Sequence, residues 1–176
     1  MRFFIAELKL NVATLDVVTY ICSEMKIEEA IQQKKFESEF QKAHINILFT
    51  ANWLSQSLGP ALDPLNLTWQ QFNILRILRG MHPEPASVKI LTERMIDKMS
   101  NASRLVEKLK QKDMVERRAC PADRRQVEIV LTEKGEEILE MASQRISQMT
   151  QETFASLTEE EGQTLNGLLD KIRSAC

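Results

Sequence analysis

Ten cationic side chains crowd the stretch from Arg94 to Arg125: Arg94, Lys98, Arg104, Lys108, Lys110, Lys112, Arg117, Arg118, Arg124 and Arg125. Only Asp97, Glu107, Asp113, Glu116 and Asp123 oppose them, a local net of +5 in a chain whose formal net charge is −2. The remainder of the chain is therefore acidic, at −7. A basic lobe on an acidic protein is the electrostatic footprint of phosphate binding. Around Arg104 the chemistry becomes more specific. Ser100, Asn101 and Ser103 are short hydroxyl and amide side chains that permit close approach and can bond phosphates or base edges. Arg104 can grip a guanine through two parallel hydrogen bonds.

A helix must position these groups. At 100° per residue, Ala102, Leu105, Val106 and Leu109 form a narrow apolar stripe. Ser100, Ser103, Arg104, Glu107 and Gln111 lie opposite, with Asn101 and Lys108 at the edges. The pattern predicts a helix from Ser100 to about Gln111, with Ser100 both a candidate N-cap and a candidate DNA contact. Glu107 is expected to pair with Arg104 one turn earlier, or to lie where the helix leaves the DNA. A shorter helix, Ser87 to about Met95, precedes it and presents Val88, Leu91 and Met95 for support. Met99 and Met114 are expected in the core.

Downstream, Val115–Arg118 and Gln126–Leu131 alternate as antiparallel strands do, with Val127, Ile129 and Leu131 the inward set. The turn between them carries Asp123, Arg124 and Arg125. An arginine at a hairpin tip can enter a narrow A·T-rich minor groove, and Asp123 is the residue placed to orient it by a charge-assisted bond. Helix, turn, helix and basic hairpin make a winged helix-turn-helix, which sets one helix in the major groove and the hairpin beside the minor groove. The candidate DNA-binding residues are Lys98, Ser100, Asn101, Ser103, Arg104, Lys108, Arg117, Arg118, Arg124 and Arg125.

The flanks read as helices. From Met25 the apolar positions Ile27, Ile31, Phe40, Ile47, Ala51, Leu54 and Leu58 predict one amphipathic helix of roughly 30 residues, stopped by Gly59-Pro60. A helix that long is expected to cover its stripe against a partner subunit. Thr68 with Gln71 forms a capping box, with Leu67 and Phe72 as its staple, for a helix running to Gly80. Thr132 caps a long helix after the hairpin, and Thr158 with Glu161 starts a last one bearing Leu165, Leu168, Leu169 and Ile172. The fold expected is mainly α with a small β-hairpin wing, a winged helix-turn-helix flanked by dimerisation helices. Its parts are an N-terminal extension at 1–24, dimerisation helices at 25–62 and 145–176, and a DNA-binding domain at 63–144.

Several function classes are excluded or left weak. No Gly-rich phosphate loop, HExxH or G-x-S-x-G motif is present, so an enzyme is not expected. Cys22, Cys120 and Cys176 are odd in number and scattered, and His44 and His82 are the only histidines, so neither a disulfide framework nor a metal or cofactor site is expected. No apolar run nears the ~18 residues that a membrane span needs. Glu7, Lys9 and Asp16 interrupt the apolar start, which therefore does not read as a signal peptide. A cytoplasmic location is expected.

LTWQQFNILRIL, then SNASRLVEKL and MVERR, then the hairpin signature DRRQVEIVLTEKG resemble, in this order and spacing, the MarR family of bacterial transcriptional regulators. The resemblance covers about residues 27–175. It implies a homodimer that presents two winged domains to double-stranded, pseudo-palindromic operator DNA, with repression the default. It also implies that Arg125 is the minor-groove residue, with Arg124 a phosphate or structural partner. Residues 1–24 fall outside it; Met25 is a natural first residue, and the extension is expected to be dispensable for DNA binding. Many members bind a small aromatic or phenolic effector between the dimerisation helices and the winged domain. His44, Asn52, Trp53, Trp69 and Met81 are the candidates by neighbourhood. Two alternatives stay open: a redox-responsive regulator using Cys120, and a winged module for protein contact without DNA binding.

Overall fold

A computed structural model describes residues 26–119 and 127–174. Among them are seven α-helices and one antiparallel hairpin. The chain divides into two units, residues 1–53 and 54–176.

The first unit holds a short helix α1, Ile27–Ala30, and the start of a long one, α2, Glu39–Leu62. The single helix expected from Met25 is thus broken, for two local reasons. Gln32 adopts a left-handed conformation (φ 54°), which ends α1. Ser38 then opens a new helix: its Oγ accepts from the Gln41 N–H at 3.1 Å, while Gln41 Oε1 accepts from the Glu37 N–H at 2.7 Å. This is nearly a capping box, written in the sequence as Ser38-x-x-Gln41. Lys42 reaches Glu28 at 2.6 Å and ties α2 to α1.

The expected stop at Gly59-Pro60 does not occur either. Pro60 lies inside α2, Gly59 does not take a left-handed φ, and the helix runs on to the fully buried Leu62. Pro60 forfeits one hydrogen bond near the end of the helix, and burial of Leu62 offsets that loss. The chain turns instead through a 3-10 segment, Asp63–Leu65, and Asn66 at φ 54°.

The second unit is organised around α3, Trp69–Met81, capped by the predicted Thr68–Gln71 box. Phe72, Ile74, Leu75 and Leu78 are buried on it, together with Gln71 and Asn73. Against α3 pack α4 (Val88–Arg94), α5 (Ala102–Gln111), strand β2 (Val127–Leu131) and α6 (Glu133–Thr153). Strand β1, Val115–Ala119, pairs antiparallel with β2 in a register that sets Val115 opposite Leu131 and Ala119 opposite Val127. Ala86 adds a short third rung, exchanging both backbone bonds with Ile129 at 3.0 and 2.8 Å. Ile129 is therefore wholly buried, whereas Val127, counted on the inward face, is 44% exposed. Toward the wing tip the strands outrun the core, and alternation alone cannot show where the packing ends. The Thr132 cap on α6 and the Thr158–Glu161 box on α7 (Glu159–Arg173) form as predicted.

Among the described residues, no helix is long and apolar enough to cross a membrane, and no cluster of three or more His, Cys, Asp or Glu side chains could hold a metal ion.

Candidate nucleic-acid interface

The helix expected to face DNA is α5. It starts two residues later than the sequence suggests, and the cap is Asn101 rather than Ser100: Asn101 Oδ1 accepts from the Arg104 N–H at 3.0 Å. Ser100 has another partner. Its hydroxyl donates to Asp97 Oδ2 at 2.6 Å, while Asp97 Oδ1 accepts from the Met99 N–H at 3.0 Å. The Ser100 hydroxyl and the Met99 amide hold the Asp97 carboxyl below the usual aspartate range, and the Gln70 side chain on α3 acts in the same direction. A carboxylate depressed in this way supports the turn at neutral pH, and the support fades as pH falls through its lowered pKa. From α3, Asn73 Oδ1 accepts from the Ile96 N–H at 3.1 Å. The turn from Ile96 to Ser100 is thus pinned to α3 and delivers α5 in a fixed orientation.

Asn101→Ala is expected to lower stability by about 1 kcal/mol, the usual worth of a side-chain cap. Ser100→Ala, which loses only a bond within the turn, is expected to cost less. Urea unfolding of the two variants orders them, and the reverse order would return the cap to Ser100.

Ala102, Val106 and Leu109 are buried, as the projection predicts, while Ser103, Arg104 and Lys108 are exposed on the opposite side. Glu107 pairs not with Arg104 but with Arg117 on β1, Nη1 to Oε2 at 2.9 Å. Arg117 also donates to the Ser103 carbonyl at 3.4 Å. Arg117 therefore fastens the outward flank of α5 to the hairpin, with its charge answered by Glu107. The acid on this face is thus neutralised by a cation of the neighbouring strand. Arg104 keeps its guanidinium exposed.

Arg118, on the exposed face of β1, holds Glu116 through Nε at 3.2 Å and Nη2 at 2.8 Å. The pair lowers the Glu116 pKa and raises that of Arg118. Lys98 turns its ammonium back onto the Glu93 carbonyl at the end of α4. Asp123, Arg124 and Arg125, with Cys120, lie outside the described residues.

Residues the sequence reading did not single out also hold the site. Lys112, following α5, donates to the Asn66 carbonyl at 2.5 Å and to Gln71 Oε1 at 3.1 Å, which moors the far end of the helix to the start of α3. Partial burial, then the neighbouring charge of Lys108, pushes its pKa down. Of the methionines expected in the core, Met114 is buried but Met99 is 93% exposed, because the pinned turn carries it away from α3.

The effector candidates separate. His44, Asn52 and Trp53 lie along the part of α2 that belongs to the first unit. Trp69 and Met81 occupy opposite ends of α3, about 18 Å apart at 1.5 Å per residue. Trp69 packs against Phe72 with ring centres 5.6 Å apart and planes tilted by 31°, and it lines a groove of about 580 Å³ with Ser55, Leu58, Leu62, Ile96 and Asp97. Met81 packs against the core.

Comparison with known proteins adds four findings. The sequence profile of the MarR family matches residues 67–127, from the start of α3 to the return strand of the hairpin. The HTH-type transcriptional regulator MgrA of Staphylococcus aureus is 35% identical over 110 residues, covering 61% of this chain and 70% of that protein. Among solved structures, wild-type MarR of E. coli in its apo form superposes with a TM-score of 0.60 at 28% identity, over 73% of this chain and 94% of that one. The regulator BpsR of Bordetella bronchiseptica, whose DNA binding is regulated by 6-hydroxynicotinic acid, superposes with a TM-score of 0.67 at 25% identity, over 79% of this chain and 97% of that one.

Proposed function

The chain belongs to the MarR family of transcription regulators, and on that premise we propose that it is a repressor that binds pseudo-palindromic operator DNA as a homodimer. One observation carries the reading: the head of α5 presents Asn101, Ser103 and Arg104 as an exposed, polar and cationic rim on a turn fixed to α3. A surface meant for another protein would be aromatic and apolar at its centre. This rim suits phosphates and base edges. Residues 63–144 form the DNA-binding part in this reading, and 25–62 with 145–176 the dimerisation part. The test is a mobility-shift assay with DNA from upstream of the protein's own gene. A retarded complex that resists competitor DNA supports the proposal; migration as free DNA at all protein concentrations counts against it.

The dimer rests on a separate observation. No residue of α7 is buried, and Leu165, Leu168 and Ile172 stand 40–56% exposed at three- and four-residue steps. Phe154 and Leu157, just before α7, are also about 40% exposed. An apolar stripe of this kind is stable in water when a second copy covers it. Sedimentation at micromolar concentration is expected to give about twice the 20.3 kDa chain mass, and a predominantly monomeric boundary would refute the dimer.

A second reading concerns regulation. The groove beside Trp69 has the volume of a small-molecule site. Its wall includes Ile96 and Asp97, the start of the turn that delivers α5. A small aromatic acid seated there would press on the turn and tilt the DNA-reading helix. In a Trp53→Phe background, where Trp69 alone emits, 6-hydroxynicotinate and simple hydroxybenzoates are expected to quench fluorescence. A flat titration with all of them removes this site from consideration.

A further inference from the structure

Met99 is the most conspicuous apolar group that no role above absorbs. At 93% exposure it is the most exposed of the large hydrophobic side chains among the described residues. Its exposure is not the looseness of a frayed loop. The Met99 N–H donates to Asp97 Oδ1 at 3.0 Å, the next residue is held by the same carboxylate at 2.6 Å, and Asn101 caps α5 immediately afterwards. Leu105, Val106 and Leu109 on α5, and Met95 before the turn, meet the core. Met99 is held away from it.

We propose that Met99 is a specificity-determining residue that reads the 5-methyl group of a thymine in the major groove; this rests on the DNA-binding reading of α5. The thymine methyl is the one apolar group on the major-groove edges of the four base pairs. An unbranched, polarisable thioether on a flexible stem is well suited to lie against it. The position fits as well. Met99 lies two residues before the N-cap of α5, at the end of the helix that enters the groove in this motif. Lys98, its neighbour, turns its ammonium back to Glu93, so the tip of the turn is left to the thioether. Ser103 and Arg104, one turn further along, supply polar partners for adjoining base edges. A polar head with one apolar finger reads a mixed sequence better than hydrogen bonds alone, because it penalises cytosine where thymine belongs.

The experiment starts by selecting preferred sites from a randomised duplex pool with the full-length protein. Each thymine of the selected site is then replaced in turn by deoxyuridine, which removes the methyl group and leaves pairing intact. Dissociation constants are measured for wild type, Met99→Ala and Met99→Leu. At one thymine per half-site, deoxyuridine is expected to weaken wild type about fourfold, the worth of one buried methyl-sized group. It is expected to change Met99→Ala affinity less than 1.5-fold and to weaken Met99→Leu nearly as much as wild type. Parallel sensitivity profiles for wild type and Met99→Ala, or no methyl-sensitive thymine at all, overturn the assignment while leaving DNA binding intact. A pool that yields no enriched site overturns DNA binding and this proposal together. Because Met99 touches no core residue, its substitution is expected to leave the melting temperature unchanged, so any loss is read at the DNA.

Discussion

Gly135→Ala is expected to destabilise the protein by about 3 kcal/mol or more, the cost of forcing a methyl group into a space that cannot open. A β-carbon at this position would lie 2.0 Å from the Met114 carbonyl oxygen and 3.0 Å from Leu131 Cδ1. The obstruction is backbone rather than a flexible side chain, and that backbone is itself fixed. The Met114 carbonyl accepts from the Thr132 N–H at 3.2 Å, and the Asp113 carbonyl accepts from the Thr132 hydroxyl at 2.7 Å. Thr132 Oγ1 in turn accepts from the Gly135 N–H at 3.0 Å, capping α6. The end of α5, both roots of the hairpin and the start of α6 meet at this glycine. At roughly 2–4 °C per kcal/mol for a chain of this size, thermal unfolding is expected about 6–12 °C lower. Gly80→Ala is the control. It sits in α3 with nothing within 4 Å of a β-carbon, so the same change is expected to stabilise by about 0.5–1 kcal/mol. Equal melting points for the two variants would show that the contact at Met114 relaxes freely.

The same glycine shows why parts of the fold are legible in sequence. The caps of α3, α6 and α7 are local codes, each complete within four residues: Thr68–Gln71, Thr132–Gly135 and Thr158–Glu161. They read correctly because nothing distant is needed to form them. The Ser38–Gln41 start of α2 was written in the same code, yet the apolar periodicity on either side suggested one continuous helix. Periodicity survives a break whose two halves happen to stay in phase, and only the cap marks the interruption. Pro60 misleads in the opposite direction. A proline near a helix end removes a single bond, and the depth at which Leu62 is buried, a tertiary quantity, decides whether the helix goes on.

At the site, residue types were readable but partners were not. The polar rim of α5 follows from helical geometry, and Ser103 and Arg104 are exposed where the projection puts them. Which acid Arg117 would answer depended on β1 passing beside α5, a juxtaposition that the intervening turn creates and that no spacing rule predicts. The Asp97 anchor was within reach, since an aspartate ahead of a helix often accepts from the backbone two residues on. Asn73 was not, because its target lies in the turn after α4 rather than on its own helix. Met99 departs from expectation for the same reason: residue type predicts burial, and the pinned turn reverses it.

The residues on the rim and those at the wing tip are expected to do different work, and the difference is measurable. Arg104 is exposed at the head of α5, and among the described residues no carboxylate is held against it as Glu107 is against Arg117. On the proposed DNA-reading face, it is expected to contribute discrimination: Arg104→Ala should cost about 1–3 kcal/mol per half-site on the cognate operator, roughly doubled in a symmetric dimer. On random DNA the loss should be much smaller, because few sites offer the guanine it grips. Arg125 belongs to a hairpin segment outside the described residues, and its expected role follows from the wing motif. A wing arginine is expected to meet backbone and minor groove, so Arg125→Ala should weaken cognate and random DNA alike. Each phosphate contact contributes about −0.9 to the slope of log affinity against log salt, so losing one per half-site should flatten the slope by about two units. Titrations of both variants on both DNAs, at four salt concentrations, separate the roles. An Arg104→Ala loss that is equal on cognate and random DNA would place that guanidinium on the phosphates, and an unchanged salt slope for Arg125→Ala would take the wing arginine off the DNA.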